Sequence, residues 1–302
     1  MAVRVEYGVP TDDSGLAIRF GHAKGFFADA NIELAVRTIY GGPELADALD
    51  SGELDMGELG SPPALTAIAV GKRFRIVASA FERGAAFFLL VHPQIHDWSD
   101  LKGRVMGALS KGSCGYWYLR QILEQHDIDP DHDVVFRELG ADYGRQLDLF
   151  ASGELSAMLS NEPSCAVGES AGTVQFWGSV RDLGNVPEIQ WMVEAANNDF
   201  GRDEPGLVAA TLAAIRRCSR YAASHPSEWA DFWSEYLGID RADAVRAIER
   251  ERPFRHPDGE LDLVGLEEAI ALQHRLKAIP AKLDVSAFVD LSFQSREQAV
   301  SA

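Results

Sequence analysis

Apolar and polar positions change their period several times along the chain, and each change marks an element. Residues 3–7 alternate as a strand does, the stretch GVPTDDSG breaks the pattern, and LAIRFGHAKGFFADA resumes it with the 3.6-residue period of an amphipathic helix. IELAVRTIY then predicts a second strand. Gly41 and Gly42 turn the chain, and PELADALD predicts a helix in which Pro43 takes the first helical position, where its missing N–H costs nothing. Strands alternating with helices imply a largely parallel sheet.

The pattern also repeats. Residues 45–63 read LADALDSGELDMGELGSPP and residues 147–163 read LDLFASGELSAMLSNEP. In each, an amphipathic helix ends at Ser-Gly, with Gly52 or Gly153 suited to a left-handed cap. Each then gives Glu-Leu, a short apolar strand and a polar turn ending at Pro62 or Pro163. Two similar α/β lobes follow from this echo. FFLLVHP, residues 87–93, is a continuous apolar strand that leads out of the first lobe, and residues 189–200 hold a second that leads back. The expected division is a discontinuous first lobe, 1–91 plus 192–302, and a continuous second lobe, 92–191. The two crossings between them would act as a hinge around a ligand cleft. Beyond residue 200 the pattern is helical, and Trp229, Phe232, Trp233 and Tyr236 recur at a spacing that predicts core packing.

Length agrees with two cores, since 302 residues exceed what one usually fills. With 46 acidic against 28 basic residues and a net charge of −18, the field repels phosphate backbones and anionic headgroups, so nucleic acid is excluded as a partner. No apolar run approaches the roughly 20 residues of a membrane span. The opening MAVRVEYGVP reads as strand and turn rather than a leader. That predicts a cytoplasmic protein as written, or an extracytoplasmic one if a leader was removed. Cys114, Cys165 and Cys218 form no C-x-x-C pair and the histidines no H-E-x-x-H cluster, so no metal is expected. No G-x-G-x-x-G follows the first strand, and no cofactor is expected either.

In open parallel sheets ligands bind beyond the carboxyl ends of strands. Five loops take that position. After the first strand stand Thr11, Asp12, Asp13 and Ser14; after the second, Tyr40 and Gly42; at the first echo, Glu58, Gly60, Ser61 and Pro62. The second lobe offers Ser110, Gly112, Ser113 and Cys114, and at the second echo Asn161 and Glu162. Glycines 112 and 115 let backbone approach a ligand, and the aromatic run after them begins a helix whose N-terminus favours polar or anionic groups. Ordinary N-capping by Ser110 or Ser113 accounts for the same serines without a ligand. Cys114 at a helix start could carry a lowered pKa, with His22, His92 or His96 as a remote base. The acidic residues Asp12, Asp13, Glu58 and Glu162, if they face the ligand, favour a cationic or polyhydroxylated compound, and Arg83 and Arg145 could supply opposite charge.

These residues resemble a known family, the alkanesulfonate, nitrate and taurine binding proteins of ABC importers, together with the pyrimidine-precursor synthases of thiamine biosynthesis. The marks are AKGFF at 23–27, GELDMGELGSPP at 52–63, LKGRVMGALSKGSCGYWYLRQIL at 101–123 and the Asn161-Glu162-Pro163 step. The resemblance implies the type II periplasmic-binding-protein fold, with the ligand touching residues 60–62 and 110–114. It implies a solute-binding protein that captures a small organic ligand between its lobes and delivers it to an ABC permease. An alternative is a leaderless enzyme of the same fold, a lyase or hydrolase acting through Cys114; a ligand sensor is a third reading. The cysteine-rich motif of the thiamine pyrimidine synthases is missing, so that activity is not implied.

Overall fold

The computed structural model describes residues 2–80, 84–110, 113–140 and 143–293. It divides into two compact units: residues 1–84, 189–232 and 254–302 form the first, and residues 85–188 and 233–253 the second.

In the first unit, β1 (Val3–Val9) buries Val5, Tyr7 and Val9 and leads to α1 (Leu16–Ala23), α2 (Phe26–Asp29) and β2 (Ile32–Thr38). The helix read as continuous over 16–30 is two helices. Gly25, at φ 81° in the left-handed region, interrupts the first and caps the second. Then follow α3 (Gly42–Ser51), β3 (Met56–Gly60), α4 (Ser61–Ala69) and β4 (Phe74–Ser79). In the second unit come β5 (Phe88–Val91), β6 (Val105–Ala108), α5 (Cys114–Gln125), β7 (Val135–Glu138), α6 (Tyr143–Ala151), β8 (Ala157–Ser160), α7 (Ser164–Ser170), β9 (Gln175–Ser179) and α8 (Val180–Leu183). The chain returns to the first unit through β10 (Met192–Asn197), α9 (Asn198–Asp203) and α10 (Pro205–Ser224). Within α11 (Pro226–Leu237) it passes to the second unit, where α12 (Arg241–Glu251) lies, and it ends in the first with α13 (Leu263–Arg275).

The two sheets share one topology. The first runs β2-β1-β3-β10-β4, with β1 parallel to β2 and β3, and β10 antiparallel to β3 and β4. The second runs β7-β6-β8-β5-β9, with β6 parallel to β7 and β8, and β5 antiparallel to β8 and β9. The sequence echo falls on α3-β3 and α6-β8, the same position in each. Gly52 and Gly153 stand at φ 77° and 76°, where L side chains are strained, which is why both segments keep glycine there.

The division differs from the sequence expectation in two places. Residues 88–91 were placed with the first lobe, yet β5 spends its backbone hydrogen bonds on β8 and β9 of the second sheet. Residues 233–253 were placed there too, yet α12 is fastened to α7 and the loop before it by Arg250 with Glu169 and Glu162, and by Asp243 with Ser170. An amphipathic helix shows that it packs, not on what. Of the four aromatic residues in α11, Trp229 and Trp233 are buried and Tyr236 is exposed; Phe20 packs its ring, tilted, 5.2 Å from Trp229 and 5.1 Å from Phe232.

Helices α1 and α10 pack tightly at Gly21, where an added Cβ would stand 1.9 Å from Cys218 Sγ and 2.7 Å from its Cβ. Gly21→Ala should therefore destabilise the first unit by about 1–3 kcal/mol through overpacking. Adding Cys218→Ala, which removes the sulfur but leaves the Cβ, should recover part of that loss. Urea unfolding midpoints measure both, and equal midpoints for the single and double variants would contradict the contact.

Candidate functional site

Because β1, β2 and β3 run parallel, their carboxyl ends share one edge of the first sheet and deposit there the loops at residues 10–15, 39–41 and 60–61. Thr11 and Ser14 pair their hydroxyls at 2.5 Å, and the Tyr40 hydroxyl, on a side chain left 61% exposed, donates to the Asp12 carboxylate. That bond raises the Tyr40 pKa from its ordinary value. Asp13 lies half-buried between them. Arg19 of α1 reaches the same edge: its Nη2 donates to Thr38 Oγ1 at 3.2 Å and its Nε to the Ser14 carbonyl at 3.4 Å. The sequence reading passed over this arginine because a polar position on an amphipathic helix carries no local sign of where it points.

Other first-unit candidates are committed to the fold. Ser61 is fully buried, donating its hydroxyl to the Gln190 carbonyl at 2.5 Å and its N–H to the Trp191 carbonyl at 2.6 Å, and Pro62 is buried beside it. A Cβ at Gly42 would meet Pro63 Cγ at 2.4 Å, and one at Gly60 would meet Pro63 Cδ at 3.3 Å, so both glycines answer to packing between neighbouring loops. Glu58 is only 8% exposed and stands opposite Glu194 across the β3–β10 pair. Glu194 takes the Tyr7 hydroxyl on both carboxylate oxygens, at 2.8 and 2.7 Å. Burial, then the charge of Glu58, holds its carboxyl well above the usual range.

In the second unit the carboxyl ends of β6, β7 and β8 again share an edge. Ser113 caps α5, accepting from the Tyr116 N–H at 3.3 Å and donating to the Ser110 carbonyl at 2.9 Å. The capping role of Ser113 is thus present, and Ser110 stays exposed before it. By helix geometry the first N–H groups of α5 have no intrahelical acceptor. Asn161 donates through Nδ2 to the Ala86 carbonyl at 2.9 Å. Two buried polar atoms at this edge have no hydrogen-bond partner among the described residues: Ser160 Oγ, and Oε1 of Gln146, whose Nε2 donates to the Gly140 carbonyl at 3.0 Å. Neither residue carried a distinguishing sequence signal, since hydroxyl and amide side chains at strand and helix ends are ordinary caps. Gly112 and Arg83 lie outside the described residues, and Arg145 sits on the exposed surface of α6.

Two expectations are corrected. Glu162 is turned into the interior: its side chain is 0% exposed, one oxygen receiving Arg250 at 2.6 Å and the other the Ala166 N–H at 3.0 Å. Cys114 is not poised as a thiolate. Burial pushes its thiol up to about 12, which outweighs the helix-start position that would lower it. Of the imagined bases, His92 follows Val91, which pairs with Ala157 at the start of β8, so it stands at the amino edge of the sheet, opposite the Cys114 loop. His96 joins it there through the Asp100 carboxylate, and His22 belongs to the first unit. Among the described residues no group of three or more His, Cys, Asp or Glu side chains could hold a metal ion, and no helix is long and apolar enough to cross a membrane.

Comparison with known proteins adds the family. The profile of the family described as NMT1/THI5 like matches residues 16–229. A Bacillus subtilis protein named "Putative binding protein YtlA" is 25% identical over 68% of this chain, the match spanning 62% of that protein's length. The "Putative aliphatic sulfonates-binding protein" of the same organism is 24% identical over 89% of this chain and 81% of its own. The crystal structure of the periplasmic aliphatic sulphonate binding protein SsuA from Escherichia coli superposes with a TM-score of 0.75 at 18% identity, covering 96% of this chain and 92% of that one. That likeness establishes the periplasmic-binding-protein fold, two α/β lobes, which the sequence had led us to expect.

With its thiol at about 12, Cys114 at pH 8 should hold ~1000-fold less thiolate than an ordinary exposed cysteine and alkylate correspondingly slowly. The rate should climb with pH without a plateau below about pH 11. Peptide mapping after timed iodoacetamide treatment checks this, and a plateau between pH 7 and 9 at Cys114 would reinstate a reactive thiolate.

Proposed function

We propose, from the premise that the chain belongs to the NMT1/THI5 like family, that it is a solute-binding protein of the kind that serves ABC importers and holds a small organic ligand on the carboxyl-edge loops of its sheets. The observation that carries this reading is the reach of the family match over residues 16–229, which takes in edge loops of both units, those at 39–41 and 60–61 in the first and at 109–113 and 160–163 in the second. The binding-protein names of the relatives point the same way. At the second sheet, the start of α5 suits an anionic or acceptor head group. The unpartnered Ser160 and Gln146 atoms would gain from a polar neighbour, because a buried polar atom left unpaired costs about 1–3 kcal/mol. Two of the four acidic residues thought to disfavour an anion, Glu58 and Glu162, are withdrawn into the interior. An anionic ligand is therefore more acceptable than the sequence suggested, and sulfonates are the class to try first. The burial of the Cys114 thiol gives no support to catalysis through that residue.

Calorimetric titration with ethanesulfonate, butanesulfonate and octanesulfonate should give saturable binding by at least one, and NMR should recover the compound unchanged. Tyr40 and Ser110 are exposed, so Tyr40→Ala and Ser110→Trp should shift stability by no more than about 0.5 kcal/mol. Each should nevertheless weaken binding roughly tenfold or more, about 1.4 kcal/mol. Wild-type affinity in both variants would displace the site from these loops, and accumulation of a product would replace binding by catalysis.

A further inference from the structure

Arg250 lies on α12, a helix that supplies no edge loop, yet its guanidinium ends one bond away from one. Nη1 donates to Glu162 Oε1 and Nη2 to Glu169 Oε2, both at 2.6 Å, and the group lies over the Phe176 ring with its carbon 4.1 Å from the centroid. The Arg250 side chain is 14% exposed and that of Glu162 0%. Glu162 directly follows Asn161, whose carbonyl accepts from Cys165 Sγ at 3.4 Å and whose amide is fixed on Ala86. We infer that Arg250 is a positioning residue for the candidate site: through Glu162 it sets the loop at 160–163, so that the Asn161 side chain answers to the ionisation of a buried cluster behind it. This rests on the proposed function only in counting Asn161 among the groups that meet a ligand.

The groups facing Glu162 are Arg250 and Glu251 from α12, and from α7 the Ala166 N–H, Glu169 and Cys165. Arg250 is shared between two carboxylates, and Glu251 repels Glu162 further. Burial, the largest influence, outweighs the attraction of Arg250 and brings Glu162 up to about 7 from its ordinary 4.5. The folded value is raised, so Glu162 adds most to stability below its ordinary value. That contribution falls as pH rises through about 7, where the carboxyl ionises and depends on Arg250. The loop therefore changes its support within the neutral range.

The test needs no ligand. In the full-length protein, NMR signals of the Glu162 carboxyl carbon and the Asn161 side-chain amide, followed from pH 5 to 9, should share one midpoint near 7. Arg250→Met should raise that midpoint by about one unit or more, because Arg250 is what favours the ionised form. Arg250→Lys, which keeps the charge without the fork, should return it to within about half a unit of wild type. Glu162→Gln should leave the Asn161 signal flat with pH. If Arg250→Met fails to fold, Arg250→Gln, which keeps a polar amide without the charge, replaces it with the same expected shift. An Asn161 amide indifferent to pH while Glu162 titrates would overturn the inference. So would a midpoint unmoved in Arg250→Met, which is what a purely structural role predicts. Loss of sulfonate binding in the Tyr40 and Ser110 experiments would leave these signals unaltered, so the two readings fail separately.

Discussion

Between β3 and β4, which point the same way, the first sheet has a gap one strand wide, and β10 fills it antiparallel to both. A buried peptide group left without a partner costs roughly 1–3 kcal/mol, and β10 meets such groups on both sides over most of its length. The segment that satisfies them comes from beyond residue 188, after the whole sheet of the second unit has been traversed. In the second unit the same interior position, between β8 and β9, is taken by β5, which precedes both. Each sheet thus depends on one reversed strand from outside its own run of alternating strands and helices. The first sheet cannot close while the chain is read in order, whereas the second already holds its reversed strand when β8 and β9 arrive; both pair across a long sequence separation, the slow, entropically expensive kind.

That arrangement also decides where polar groups go. The three parallel strands of each sheet discharge their loops on one edge, which gathers Thr11, Ser14 and Tyr40 in one unit and Ser110, Ser113 and Asn161 in the other. The reversed strands do the opposite. β5 carries His92 to the far edge, and β10 brings Glu194 into register with Glu58 inside the sheet. Whether a polar residue ends at the edge or in the interior is therefore a matter of register. A shift of one residue would exchange the faces of β10 and take Glu194 away from the Tyr7 hydroxyl.

This separates what was legible in the sequence from what was not. The glycine caps at 52 and 153 were legible because a left-handed backbone restricts residue type locally, and the buried run at 87–93 because four consecutive apolar residues suit a strand covered on both faces. The edge loops were legible as turns. Glu162 was not, since its partner Arg250 lies 88 positions away and nothing near either residue announces the other. Ser61 looked like a ligand contact because it follows Gly60 in a loop, but its hydroxyl is used by the Gln190 carbonyl, a tertiary bond with no sequence signature. The unit to which 233–253 belongs escaped for the same reason, its allegiance being fixed by side chains of α7.

The buried carboxyls show how a chain of net charge −18 distributes its protons. Adding interior negative charge to an already acidic molecule is doubly unfavourable, through desolvation and through the field of the surface. The two units answer differently. Glu194 is given a neutral donor, Tyr7, which can bond either protonation state but cannot compensate a charge, and burial with Glu58 opposite keeps its carboxyl well above the usual range. Its ionisation is thus displaced upward, so its contribution to stability is full below its ordinary value and declines as pH rises toward the raised one. Glu162 is given a guanidinium, which draws its ionisation back toward neutrality without abolishing the cost of burial. The two carboxyls differ in donor as well as in neighbours: a neutral phenol bonds Glu194 without offsetting a charge, whereas an arginine shared with Glu169 draws Glu162 back toward ionisation.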